Sequence, residues 1–205
     1  MVFNRVVAHT ATSFIFYLRR VLLLIISPYK TMRDIAKDTD MTQVGFIFLT
    51  VGLYFYTAGA IRGNDFSSGL LFWLTVIHYV LTVTFFAIFA LIAKKEKRVE
   101  ITPFVLLFAY ALIPTLIWFA TNSLLYTLIP PPRTPSLLGK SFSLLYVSFS
   151  IGMLCWKLIV TYLAIRFATG MQFFRITYSM MLYLAAVIPY ALLLYSLGIF
   201  RIPFL

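Results

Sequence analysis

Five stretches of the chain are apolar for long enough to cross a bilayer, and nearly all charged residues fall between or before them. A hydrocarbon core of roughly 30 Å needs about 20 mostly apolar helical residues. The stretches run from Val44 to Ile61, Gly69 to Ala93, Pro103 to Ile129, Phe142 to Ala168 and Ile176 to Phe200. The segments between them are Arg62 to Ser68, Lys94 to Thr102, the proline-rich Pro130 to Ser141, and Thr169 to Arg175, all too short for a soluble domain. The pattern predicts an all-α integral membrane protein: a five-helix transmembrane domain over residues 44–205, preceded by a segment over residues 1–43.

That N-terminal segment has its own pattern. Ser13 to Ser27 is apolar apart from Arg19 and Arg20, and is too short and too charged to count as a span. At helical spacing Arg5, His9, Thr12 and Arg20 fall on one side, and Phe14, Leu18, Val21, Leu22 and Ile25 on another. An amphipathic helix lying in the cytoplasmic interface with its arginines snorkelling fits this arrangement. A re-entrant hairpin closed at Pro28 is the alternative. The arginine pair superficially resembles a twin-arginine export signal, but no small-residue cleavage site follows, and Ser27-Pro28-Tyr29-Lys30 ends the run. Thr31 to Asp40 is the most polar stretch. Its Arg33/Lys37 and Asp34/Asp38 pairs at i,i+4 suit a short solvated helix, either a polar collar or a docking surface for a partner.

Composition then removes whole classes. Hydrophobic residues are 62% of the chain and charged ones 11%, against about 45–50% and 25% in soluble domains, so a soluble single-domain enzyme is excluded. The net charge of +11 is unevenly placed. Twelve basic residues fall on one side of the predicted bundle: Arg5, Arg19, Arg20, Lys30, Arg33, Lys37, Lys94, Lys95, Lys97, Arg98, Arg166 and Arg175. Four fall on the other, Arg62, Arg133, Lys140 and Arg201, and Lys157 lies within a span. This bias predicts a cytoplasmic N-terminus and an outside C-terminus. It reads as contact with anionic lipid headgroups rather than nucleic acid. Cys155 is the single cysteine and His9 and His78 the only histidines, so no disulfide, metal or cofactor is expected.

The polar residues inside the spans are the candidate chemistry. A lysine near mid-membrane costs about 2.5–3.5 kcal/mol on insertion scales. All six acids lie outside the spans, so Lys157 must turn to carbonyls, hydroxyls, water or an anionic ligand. Pro114 frees the carbonyl of Tyr110, and Asn122 offers a second acceptor in the same span. Ser143, Ser150, Lys157 and Thr161 share one stripe, with shorter stripes at Thr50, Tyr54, Thr57 and at Thr75, His78, Thr82. Such stripes bond helix to helix or line a polar cavity. His78 alone also reads as a satisfied core histidine. The candidate ligand or headgroup residues are therefore Lys157, Asn122, Tyr110, His78 and Ser150, with Arg19, Arg20, Lys30 and Arg33 as the interfacial basic set. Pro114 and Pro189 mark static kinks or, alternatively, broken helices around a transport site.

Three short motifs resemble the YIP domain family, small five-span membrane proteins named for interaction with Ypt/Rab GTPases. Ser27-Pro28-Tyr29-Lys30-Thr31-Met32-Arg33-Asp34-Ile35 is similar to its S-P-x-K-x-[FM]-x-x-I entry segment. Phe108-Ala109-Tyr110-Ala111-Leu112-Ile113-Pro114 is similar to its aromatic, small-residue and proline pattern, and Trp156-Lys157 through Arg166 to Gly170 and Arg175 to its W-x(8-9)-R-x(3-4)-G region. The resemblance covers roughly Ser27 to the C-terminus. It departs in having only about forty residues before the first span, where eukaryotic members look to carry a longer polar region associated with Rab binding. The chain is closer to the compact bacterial and archaeal members, which implies a prokaryotic inner membrane and gives no ground for carrying over Rab binding.

These residues bear on four functional classes. An intramembrane enzyme lacks a nucleophile with its base, paired carboxylates or a metal. A small transporter, channel or lipid-flipping protein with its site at Lys157 draws on that lysine and the prolines, but has no acid to couple ions and no evident internal duplication. Expectation falls on a non-catalytic protein that organises the membrane or binds lipids, or that serves as a hydrophobic adaptor for a membrane protein partner or a second copy of itself.

Overall fold

The computed structural model describes residues 2–62, 67–94, 100–128 and 137–197, with side chains from residue 7 onward except at 62, 94, 126 and 138. Several predicted features lie outside these residues: the Pro130 to Pro132 run, the charges on Lys95, Lys97, Arg98, Arg133 and Arg201, and the side chains of Arg5, Arg62 and Lys94.

Among the described residues eight helices follow one another: α1 (Val2–Ile26), α2 (Pro28–Ile35), α3 (Thr42–Arg62), α4 (Ser68–Lys94), α5 (Ile101–Tyr110), α6 (Ile113–Leu128), α7 (Leu137–Thr169) and α8 (Phe173–Ser196). There is no strand among the described residues. The five anticipated spans correspond to α3, α4, the pair α5–α6, α7 and α8. The paired helices occupy the centre: 72% of the most apolar stretch in Ile101–Leu125 is buried by the rest of the bundle, against 28% or less in each other long helix. Phe104, Leu106, Leu107, Ala109 and Tyr110 have no accessible surface. The outward faces of α4, α7 and α8 carry Trp73, Ile92, Leu144, Leu145, Phe174 and Leu192, all exposed, as helices solvated by lipid require.

The central span breaks where the proline dictates. Ala111 and Leu112 form a turn, and Pro114 takes the second position of α6, where a missing N–H costs no helical bond. Pro189, by contrast, sits inside an uninterrupted α8. The α7–α8 turn is made by Gly170, whose φ of +64° closes α7 with its N–H on the Arg166 carbonyl at 2.7 Å.

Two expectations for the N-terminal segment are corrected. Its helix is 25 residues long and starts at Val2, because His9, Thr10, Thr12 and Ser13 are polar but uncharged and let the helix continue. Its stretch Val7–Ile26 is itself long and apolar enough to cross a membrane, giving six such helices among the described residues. The polar run Thr31 to Asp40 is not one solvated helix: α2 starts earlier, with Pro28 in its first turn, and ends at Ile35. Thr31, Met32 and Ile35 on α2 are buried, and α2 packs on α5 and α7. Tyr29 meets Phe167 edge-on, with ring centroids 5.2 Å apart.

The way α1 meets α3 positions the first polar site. Ser13, Tyr17 and Leu24 are buried, with Arg20 and Val21 half-buried between them, while Phe14, Leu18, Leu22 and Ile25 face outward. Ser13 reaches Asp40, and Arg20 reaches Gln43. Those two α1 residues are about 10 Å apart along the helix axis. Both reach the start of α3, while Tyr17 between them meets Thr50 at 2.8 Å about two turns further in, so α1 is fastened along the first half of α3.

Candidate functional site

Polar side chains gather at three places. The first lies at the end of the bundle where α1, the turn after α2, α3 and α5 meet. Gln43 is 1% exposed and stands at its centre. Its Oε1 accepts from Arg20 Nη1 at 2.7 Å and from the Tyr110 hydroxyl at 2.6 Å, while its Nε2 donates to Asp38 at 2.9 Å and to Asp40 at 3.2 Å. Arg20 also pairs directly with Asp38. The other Asp38 oxygen takes the backbone N–H groups of Thr39 and Asp40, and Asp40 takes that of Thr42. Burial pushes the Asp38 carboxyl up. The donors from Arg20, Asp40 and Gln43 outweigh that and leave it below the ordinary carboxylate range. Asp40 is lowered in the same way, with burial outweighed by Ser13, Thr42 and Gln43. Beside this cluster opens a cavity of about 400 Å³, reached by His9, Arg20, Asp34, Lys37 and Asp38.

The second place is the α6–α7 seam. Trp118 Nε1 donates to Ser150 Oγ at 3.0 Å, and the Tyr146 hydroxyl donates to Asn122, whose Nδ2 returns to the Trp118 carbonyl at 2.9 Å. Two helical turns beyond Ser150 on α7, Lys157 faces Pro114, Thr115 and Trp118 across a space of about 10 Å³. Among the described residues the Lys157 ammonium makes no hydrogen bond or ion pair. The Thr115 hydroxyl is buried without a partner. Thr50, Thr75, Thr82, Thr121 and Thr127 all turn their hydroxyls onto the carbonyl four residues earlier. For Thr115 that residue is Ala111, which lies in the turn. A buried hydroxyl left unsatisfied costs about 1–3 kcal/mol.

The third place joins α4 to α8. Tyr183 lies 2.6 Å from the Thr82 hydroxyl and 3.1 Å from His78 Nε2, and Tyr190 stacks on His78 at 6.2 Å and 10°. A mostly apolar cavity of about 360 Å³ adjoins them, bounded also by Leu81, Phe85 and Val187.

The five residues expected to share a ligand site are thus divided. Lys157, Ser150 and Asn122 do share the α6–α7 seam, but Asn122 is held by Tyr146 and not by Lys157. Tyr110 points its hydroxyl to Gln43, and His78 lies on the α4–α8 seam with Tyr183. The helix period brings residues of one span to one face, but it does not fix which neighbour that face meets. In the basic set, Arg19, Lys30 and Arg33 are exposed, Arg33 lying 3.9 Å from Asp34. Arg20 departs from the snorkelling reading: a half-buried carboxylate and amide hold it inside the fold. The hydroxyl stripes mostly bond their own helix backbone or one neighbouring side chain. Gln43, Tyr183, Trp118 and Thr115 were not singled out from the sequence. The available signal for the first was an amide opening an apolar span just after Asp38 and Asp40, with an arginine stranded in the preceding apolar helix.

No group of three or more His, Cys, Asp or Glu side chains is placed to hold a metal ion among the described residues. Compared with known protein families, with curated proteins and with solved structures, the chain matches none of them.

Proposed function

We propose that the protein is a non-catalytic, YIP-type integral membrane protein of a prokaryotic inner membrane, which organises the bilayer by binding anionic lipids along α1 and α2. In this reading α3, α4, α5–α6, α7 and α8 are the five spans, and α1 lies in the cytoplasmic interface. The observation that carries it is the way α1 is fastened to the start of α3. The helix is fastened at Ser13–Asp40 and Arg20–Gln43, which leaves Phe14, Leu18, Leu22 and Ile25 facing outward and Arg19, Lys30 and Arg33 exposed beside them. Apolar side chains flanked by cations suit the boundary between acyl chains and anionic headgroups. The three sequence motifs support the family assignment, and the net charge supports the orientation.

Topology decides between this arrangement and a sixth span. In a Cys155→Ser background carrying Val7→Cys, an impermeant thiol reagent labels residue 7 only after the cells are permeabilised if α1 lies in the cytoplasmic interface. Labelling of intact cells would make α1 a span and overturn the reading. The lipid preference is read separately in nanodiscs. Replacing a zwitterionic by an anionic phospholipid raises the melting temperature, and Arg19→Gln with Lys30→Gln and Arg33→Gln reduces that rise; equal stability in both lipids sinks the lipid claim.

A second reading, a small transporter, channel or lipid-flipping protein, is favoured by the unpartnered Lys157. Flux or lipid scrambling in reconstituted liposomes that disappears with Lys157→Met would support it.

A further inference from the structure

We infer that the break in the central span forms, with Lys157, an intramembrane site for a small monovalent anion of halide type. Three independent features converge on one space. In the five-span reading α6 starts within a span, so the positive end of its dipole faces the break, although the Leu116 N–H of its first turn is already taken by the Leu112 carbonyl at 2.9 Å. Pro114 supplies no N–H, which leaves the neighbouring groups to define the site. Thr115, in that same first turn, is 6% exposed, and its hydroxyl has no partner. Lys157, on the facing helix, brings a full positive charge to the same space, with no acidic residue in any span to neutralise it.

The occupant follows from what these groups lack. The ammonium and the hydroxyl can both donate, and the end of α6 adds the positive potential of its dipole. What is missing is an acceptor, and preferably a charged one, since a lone cation in hydrocarbon favours an anion beside it. Size narrows the class further. A space of about 10 Å³ admits a particle near the size of one water. A phosphate, a carboxylate or a lipid headgroup exceeds it, and a halide enters with a small shift of the flexible lysine chain. Trp118 forms one wall, with its indole N–H occupied by Ser150. It contributes shape and an optical probe but no donor.

The full chain in detergent, exchanged from sodium gluconate into sodium chloride or bromide, tests the site. The expected result is a saturable rise in melting temperature with halide, and bromide quenching of tryptophan fluorescence that saturates at the same concentration. Thr115→Val, close to threonine in shape, weakens the apparent halide affinity at least tenfold, and Lys157→Met abolishes the saturable component. If Lys157→Met does not fold, Thr115→Val alone carries the comparison. A single strong bromide anomalous peak between Thr115 and Lys157 would locate the ion. Equal stability in gluconate and halide, or a halide effect unchanged in Thr115→Val, overturns the assignment; the first result would mean that the space holds only water.

Discussion

The Tyr110 hydroxyl donates to Gln43 Oε1 at 2.6 Å, joining residues 67 apart in the chain and linking the end of α5 to the start of α3. Tyr110 has no accessible surface, and Gln43 also serves Arg20, Asp38 and Asp40. The two partners are therefore unequal. Tyr110→Phe removes one donor while Arg20 still satisfies the amide oxygen, a loss of about 1 kcal/mol. Gln43→Ala leaves the buried phenol without its acceptor and takes one partner each from Arg20, Asp38 and Asp40, a loss of about 2–4 kcal/mol. Thermal unfolding in detergent measures both. A Gln43→Ala cost no larger than that of Tyr110→Phe would mean that the amide is not the hub.

Arg20 and Asp38 fasten α1 to the bundle. Their side chains retain 17% and 24% of their surface, so solvent screens the pair only in part. A double-mutant cycle with Arg20→Met and Asp38→Asn is expected to give a coupling of about 1–2 kcal/mol, above the usual exposed pair and below a fully buried one. The single variants should also loosen α1, seen as faster proteolysis between residues 27 and 41 while α3 to α8 remain intact. A coupling near zero would return Arg20 to the snorkelling role that its sequence context suggests.

The same cluster sets an acid limit. Asp38 and Asp40 have carboxyls lowered by their donors, so the folded state holds fewer protons than the unfolded chain as pH falls. Their stabilisation is complete above the ordinary carboxylate range and is lost as pH drops through the lowered folded values. The melting temperature should be flat from about pH 8 to pH 5 and decline below about pH 4. In Asp38→Asn the plateau should be lower and the acid decline shallower. An unchanged decline in Asp38→Asn would place the acid-sensitive group elsewhere.

What could be read from the sequence divides along the same physical line as these predictions. The long apolar helices α3, α4, α7 and α8 are legible in the sequence because their outward residues are apolar over their whole length. A disturbance at Pro114 is legible because a missing N–H acts locally, but the sequence favours a kink there, and the structure has a break at Ala111 and Leu112. Arg20 was misread because snorkelling and a tertiary ion pair leave the same mark in the sequence, an arginine amid apolar residues. Only the approach of Asp38 and Gln43, set by how α1 packs on α3, distinguishes them. His78, Tyr110 and Lys157 each stood out as polar residues in apolar surroundings. That they serve three different seams follows from helix order around the bundle, on which a single sequence is silent.

Pro114 and Pro189 look equivalent in sequence and should behave differently on replacement. Pro114 stands where α6 begins and its N–H would have no helical acceptor, so Pro114→Ala gains no bond and loses the rigidity that fixes the turn. A destabilisation of about 0.4–1 kcal/mol is expected. Pro189 lies within α8, where alanine would restore an N–H to the carbonyl of Ala185 and remove the ring's clash with it. Pro189→Ala should therefore leave stability unchanged or raise it, unless Tyr190, one residue on, shifts away from His78. Thermal unfolding of the two variants, with the saturable bromide quenching of tryptophan fluorescence as a second readout, separates the cases. Loss of the saturable halide effect in Pro114→Ala but not in Pro189→Ala would tie the anion site to the break in the central span. The same loss in both would show that the effect follows overall packing and not the start of α6.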